Sequence, residues 1–115
     1  MTTTREFDVV LFGATGYTGQ LVAAHLLSRG QQAKLAFAGR NREKLQRVAA
    51  ELGKPEIPLL VGDSADPAFV AQLAQRASVV CTTVGPYSRY GEGLVAACAD
   101  AGTSYCDLTG EVHFI

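Results

Sequence analysis

The sequence has almost no charge imbalance: ten basic residues against eleven acidic ones leave a net charge of −1. No global field therefore favours nucleic acid or an anionic membrane. It has no apolar run long enough to cross a bilayer, so membrane association is not expected. Residues 1–7 lack the apolar core of a secretory signal, and the expected compartment is the cytoplasm. The three cysteines, Cys81, Cys98 and Cys106, form no C-x-x-C pair. Neither a disulfide framework nor a zinc or other metal site is suggested, and buried small hydrophobes in a reducing cytoplasm is the expectation. No lysine follows Lys54, which excludes a Tyr-x-x-x-Lys catalytic pair in the second half.

What is present is one domain's worth of chain, 115 residues, with 48% apolar and 18% charged residues, an ordinary globular balance. Residues 7–12 read as a strand, continuously apolar from Val9 to Phe12 and covered on both faces. A helix from about Thr18 to Arg29 follows, its stripe Gly19, Val22, Ala23, Leu26, Leu27 and Gly30 recurring at helical spacing. Residues 34–38 form a second strand. Asn41 can cap a helix whose buried face is Leu45, Val48, Ala49 and Leu52, closed by Gly53. Residues 57–61 form a third strand, and Asp66-Pro67 sets a cap residue before a first-turn proline, ahead of Phe69, Val70, Leu73 and Ala74. Residues 78–83 form a fourth strand. Leu94, Ala97, Cys98 and Ala101 mark a fourth helix ending at Gly102, and residues 104–108 a fifth strand. The order β-α-β-α-β-α-β-α-β implies right-handed crossovers and a doubly wound, Rossmann-like parallel sheet of about five strands. The chain stops at Ile115 after "GEVHFI", which reads like the start of another element; the expectation is an N-terminal fragment whose substrate domain is missing.

Between the first strand and its helix lies Gly13-Ala14-Thr15-Gly16-Tyr17-Thr18-Gly19, a G-x-x-G-x-x-G loop. Gly13 permits the turn out of the strand, Gly16 leaves room for a pyrophosphate against main-chain N–H groups, and Gly19 allows close helix–strand packing. The anion then meets a helix N-terminus, where unpaired donors and the dipole favour negative charge. A P-loop is excluded because Gln20 follows Gly19, with no Gly-Lys-Ser/Thr. A tight structural turn and a methyltransferase-type loop are the rival readings.

At the end of the second strand a free ribose 2′-hydroxyl usually meets a carboxylate, but here the chain reads "AGRNREK". Arg40 offers a planar fork for a 2′-phosphate and Asn41 can bond beside it, which favours NADP(H) over NAD(H). The alternative is that Arg40 and Arg42 are solvated surface charges. Asp63 can accept from the adenine amino group, whereas Asp66 reads as a helix cap. Thr83, Val84, Gly85 and Pro86 follow the fourth strand, where ribose and nicotinamide are expected, with Tyr87 and Tyr90 either walling the pocket or simply packing. Asp107, Thr109 and Glu111 end the fifth strand on the same side, as substrate-orienting groups or caps. No catalytic set is visible: His25 reads as a surface residue and His113 as structural. The cofactor carries the chemistry and the protein supplies orientation.

"FDVVLFGATGYTGQL", "LAFAGRNREKL" and "VVCTTVGPYSRYGEGLVAACADAGTSYCDLTGE" resemble the N-terminal NADP-binding domain of the saccharopine dehydrogenase-like oxidoreductases, and within them the actinobacterial trans-acting enoyl reductases. The resemblance covers nearly the whole chain. It implies that Gly13, Thr15, Gly16, Tyr17, Thr18, Arg40 and the Gly85 loop hold NADP(H), and that a larger C-terminal domain completes the active site. It further implies reduction of a double bond in a small-molecule or carrier-bound lipid of polyketide type, and assembly, where it occurs, through the missing domain. Saccharopine-forming enzymes proper tend to a tighter G-x-G-x-x-G loop, which weighs against lysine-pathway chemistry and leaves the substrate open. Two alternatives stand beside the reductase: a non-catalytic NADP-sensing or scaffold protein, and an amino-acid oxidoreductase of saccharopine dehydrogenase type.

Overall fold

The computed structural model describes residues 5–29, 34–83 and 92–107. Strands and helices alternate: β1 (Phe7–Phe12), α1 (Tyr17–Arg29), β2 (Leu35–Gly39), α2 (Arg42–Glu51), β3 (Leu59–Val61), α3 (Pro67–Arg76), β4 (Ala77–Thr82), α4 (Glu92–Ala101) and β5 (Ser104–Asp107). The strands form one parallel sheet in the order β3-β2-β1-β4-β5. The chain therefore winds outward from β1 in one direction, then returns to β1's other flank, so the topological switch lies between β1 and β4. All the strands point the same way, and their carboxyl ends share one edge.

Strand alternation feeds two cores. Val10, Phe12, Ala36, Ala38 and Val80 pack with Val70, Leu73, Leu94 and Cys98 of α3 and α4. Leu11 and Phe37, pointing the other way, pack with Ala23 of α1 and with Leu45, Val48 and Ala49 of α2. Both faces are apolar because both are covered, which is why β1 from Val9 onward and β2 read without polar interruption.

Local chemistry sets the element ends. Asn41 caps α2, its side-chain oxygen accepting from Lys44 N–H at 3.1 Å. Asp66 caps α3 with Pro67 in the first turn, accepting from Ala68 N–H at 3.0 Å. β3 is shorter than its apolar run. Pro58 has no N–H and contributes only its carbonyl, to Phe37 N–H at 3.0 Å, while Ile57 N–H turns back to Lys54. β2 starts one residue later than the apolar pattern suggests, because Lys34 N–H is taken by the Asp8 carboxylate at 2.8 Å.

At the opposite edge of the sheet, Arg5 ties α3 to α4. Its guanidinium donates to the carbonyls of Ala74 (3.0 Å), Gln75 (2.7 Å), Ala77 (3.3 Å) and Ala101 (2.5 Å). It also reaches Thr103 Oγ1 at 3.1 Å. These carbonyls lie at the C-terminal ends of the two helices, where a cation offsets the dipole and satisfies acceptors that have no intrahelical donor.

One sequence expectation needs correction. Cys98 is buried and Cys81 half-buried, but Cys106 is exposed. Cys106 sits beside Cys81 in register on the edge strand β5. Its side chain thus shares the face of Cys81, where α1 and α2 cover the strands nearer the sheet centre.

Candidate cofactor-binding site

The β1–α1 loop lies at the carboxyl edge, and its three glycines answer to three different constraints. Gly13 has φ of +100°, a conformation that side-chain-bearing residues rarely adopt. At Gly19 an added Cβ would overlap the Gly13 carbonyl and come within 3.0 Å of Ala14 Cα. Gly19 therefore serves close packing, as anticipated, but against the loop's own backbone rather than against the strand. Gly16 is different. It is exposed, its φ is not positive, and an added Cβ would meet nothing nearer than the Gly13 carbonyl oxygen at 3.8 Å. Nothing in the protein's own packing demands glycine there.

The loop is braced on both flanks. Gly13 N–H donates to the Ala38 carbonyl of β2 at 3.1 Å. On the other side, Thr83 N–H donates to the Phe12 carbonyl at 2.9 Å and Thr83 Oγ1 donates to the Gly13 carbonyl at 3.0 Å. Within the loop, Gly16 N–H reaches the Gly13 carbonyl, Gln20 N–H reaches the Gly16 carbonyl, and Gln20 Nε2 donates to the Thr15 carbonyl at 3.1 Å. The amides of Ala14, Thr15, Tyr17 and Thr18 donate to none of the described residues. The first amides of an α-helix have no intrahelical acceptor. The result is a rigid, donor-rich cradle with an open position at Gly16, a fit for an anionic diphosphate.

The neighbouring residues fall in strand order along the same edge. Arg40, exposed, follows the last residue of β2. Asn41 spends its side-chain oxygen on the α2 cap, which leaves its amide NH₂ to donate outward. Gly62 N–H bonds the Gly39 carbonyl at 2.9 Å, which holds Asp63 beside Arg40's strand. Asp63 closes a local turn, one carboxylate oxygen accepting from Ala65 N–H at 2.9 Å. Thr83, just past β4, and Asp107, the last residue of β5, complete the row, Asp107 accepting from the Tyr105 hydroxyl at 2.7 Å. Val84, Gly85, Pro86, Tyr87, Tyr90, Thr109, Glu111 and His113 lie outside the described residues. His25 is exposed on α1.

Burial and charge set the thiols of Cys81, near this edge, and of Cys98, in the core on α4. Burial, reinforced by its neighbours Cys106 and Asp107, pushes the Cys81 thiol up to about 12. Burial raises Cys98 to about 11. Both are neutral and poorly nucleophilic at physiological pH. A groove of about 620 Å³ lies elsewhere, between α3 and α4, walled by alanines, Pro67 and Val70 together with Ser64, Gln75 and Asp100.

A glycine cradle at the switch point of a doubly wound sheet is the geometry of dinucleotide binding. The family model of the saccharopine dehydrogenase NADP-binding domain matches residues 9–113. The chain belongs to that family. This saccharopine dehydrogenase-type domain is 54% identical over 112 residues to a trans-acting enoyl reductase of Mycobacterium tuberculosis, covering 96% of this chain and 27% of that protein. The same-named protein of Mycobacterium ulcerans is 52% identical over the same share. The domain thus spans about a quarter of the length of these curated relatives. Among solved structures, apo saccharopine dehydrogenase (L-Glu forming) of Saccharomyces cerevisiae superposes with a TM-score of 0.75 at 19% identity, over 90% of this chain and 22% of that one. Triphenylmethane reductase of Citrobacter sp., complexed with NADP(H), gives 0.69 at 25% identity, over 87% and 36%. NADP is the cofactor of this domain family, and the Rossmann-like architecture expected from the element order is the one observed. Sequence reading missed the braces, Thr83 to Gly13 and Gln20 to Thr15, because a hydroxyl or amide in a loop carries no signal of its partner.

Proposed function

We propose that this NADP-binding domain is the cofactor domain of an NADPH-dependent enoyl reductase that acts on a lipid or polyketide-type substrate. The observation that carries the reading is the open position at Gly16, a glycine for which the protein's own packing gives no reason, inside a loop where the amides of Thr15, Tyr17 and Thr18 donate to none of the described residues. Amides of Thr15, Tyr17 and Thr18 hold the diphosphate, while Ala14, fully buried, anchors the loop to the core. Arg40, with the Asn41 amide, holds the 2′-phosphate at the start of α2. Asp63 accepts from the adenine amino group through the carboxylate oxygen that its turn leaves over. Thr83, Val84, Gly85 and Pro86 border the ribose and nicotinamide. When bound, the reduced nicotinamide supplies hydride to the substrate's double bond. The substrate's own pocket belongs to a second domain, as the relatives' greater length suggests. Their shared name supports the enoyl substrate over an amino acid. Among the described residues no helix is long and apolar enough to cross a membrane.

Calorimetry on this chain tests the reading. NADPH binds more tightly than NADH, and no enoyl thioester is reduced by this chain alone. Equal affinity for the two nucleotides, or turnover without further sequence, overturns it.

A further inference from the structure

Cys81 and Cys106 are distant in sequence but side by side in the sheet. They stand in register on the neighbouring parallel strands β4 and β5, one position before the strands end at Thr82 and Asp107. Residues paired in this way project to the same side of a sheet, and Cys106 is a side-chain hydrogen-bond partner of the Cys81 thiol. Neighbouring strands lie about 4.8 Å apart, within the roughly 4.4–6.8 Å between Cα atoms that a disulfide spans. Its Cβ atoms sit closer, about 3.8 Å apart, so closing the bond draws the strands together and leaves it easy to reduce. Among the described residues β5 is an edge strand with no neighbour on its outer flank, which leaves it free to move inward.

The two thiols are unequal. Cys106 is exposed, whereas Cys81 is half-buried against the cluster that holds Leu11, Ala14 and Phe37. Burial pushes the Cys81 thiol up to about 12 and keeps it protonated. An oxidant from solution therefore meets Cys106 first and leaves it beside a second thiol, the arrangement of an attacked cysteine with its resolving partner. Cys98 packs in the core on the other face of the sheet, out of reach of both. We infer that Cys81 and Cys106 form a hydroperoxide-sensitive dithiol that closes to a reversible disulfide across β4 and β5. The Cys106 thiolate attacks one oxygen of the hydroperoxide, the O–O bond breaks, and the departing oxygen takes up a proton, leaving Cys106 as a sulfenic acid. The Cys81 sulfur then attacks the Cys106 sulfur, the S–O bond breaks, and water leaves with the Cys81 proton. In sum the two thiols lose two electrons and two protons, and one hydroperoxide is reduced. A dithiol reductant reverses the bond. No step depends on a nucleotide, so the site stands apart from the cofactor reading.

The test exposes the reduced chain, at low concentration, to hydrogen peroxide. Free thiols counted after denaturation fall from three to one. The monomer loses the mass of two hydrogen atoms, and dithiothreitol restores both readings. In Cys98→Ala, where Cys106 is the one cysteine left in residues 90–115, trypsin releases residues 77–89 joined to residues 90–115. Cys106→Ser, a change at an exposed position, abolishes the bond. In Cys81→Ala, dimedone traps Cys106 as the sulfenic acid, which the wild type does not accumulate. A mass loss that persists in Cys106→Ser or Cys81→Ala overturns the inference. So does linkage only between copies of the chain, or oxidation of Cys106 in the wild type that leaves Cys81 a free thiol.

Discussion

Replacing Gly16 with alanine separates what the fold needs from what the ligand needs. In the protein alone the new methyl meets nothing within 3.8 Å, and the backbone conformation is open to any residue. Two small effects oppose each other. Alanine reduces the entropy of the unfolded chain, stabilising by about 0.4–1 kcal/mol. Gly16 also stands as the N-cap of α1, its carbonyl accepting from Gln20 N–H, and alanine is a poorer cap by a similar amount. The net change in stability should lie within about 1 kcal/mol of zero, so that Tm moves by less than about 4 °C. Binding behaves otherwise. A methyl carbon keeps other atoms at about 3.5 Å or more, whereas an amide N–H···O contact requires about 2.9 Å. A phosphate forced outward loses charge-assisted hydrogen bonds worth about 1.5–3 kcal/mol each, which is about 10- to 150-fold in Kd. Thermal melts and NADPH titrations of Gly16→Ala and Gly19→Ala make the comparison. Gly19→Ala, whose methyl would overlap the Gly13 carbonyl, loses about 2 kcal/mol or more of stability as well as affinity. The reasoning is refuted if Gly16→Ala destabilises as much as Gly19→Ala, or if it binds NADPH like the wild type.

Three further outcomes follow from the same geometry. Arg40→Ala weakens NADPH by about tenfold, the low end of a charge-assisted contact because the side chain is exposed, and leaves NADH affinity as it was; parallel calorimetric titrations decide, and an equal loss for both nucleotides contradicts the 2′-phosphate role. Arg5→Ala removes the shared cap of α3 and α4 and lowers stability by about 2 kcal/mol, read as a fall in Tm of roughly 8 °C; a fall of under about 2 °C would show that water replaces the guanidinium freely. The raised Cys81 thiol favours the folded state while neutral. That contribution is full below the ordinary thiol range and is lost as pH climbs from there towards about 12. Iodoacetamide at pH 8 accordingly modifies the exposed Cys106 before Cys81 or Cys98, as peptide mass spectrometry would show, and equal rates for the three would contradict this ordering.

The elements were legible where local chemistry decides them. Asn41 and Asp66-Pro67 announce α2 and α3, and the apolar runs of β1 after Asp8 and of β2 announce a sheet covered on both faces. The glycine loop was legible as a cradle because its spacing follows from one turn, one close packing and one open position. What escaped depends on partners far away in sequence. Pro58 trims β3 only because Phe37 lies opposite it, and nothing near Arg5 in the chain indicates the helix ends some seventy and ninety-six residues away that it joins. Cys106 looked like a core residue by type, and edge position overrode type. Thr83 was placed at the cofactor edge by strand order, but its hold on the Gly13 carbonyl needs the β1–β4 register, which no local pattern encodes.

The central claim is that a diphosphate rests on the amides between β1 and α1 that donate to none of the described residues. The most direct measurement is the amide spectrum of the ¹⁵N-labelled chain with and without saturating NADPH. The account predicts that the resonances of Thr15, Gly16, Tyr17 and Thr18 shift most strongly, with Arg40 and Asn41 moving for NADPH and far less for NADH. Loop resonances that stay in place while the nucleotide binds elsewhere, or does not bind, would contradict it.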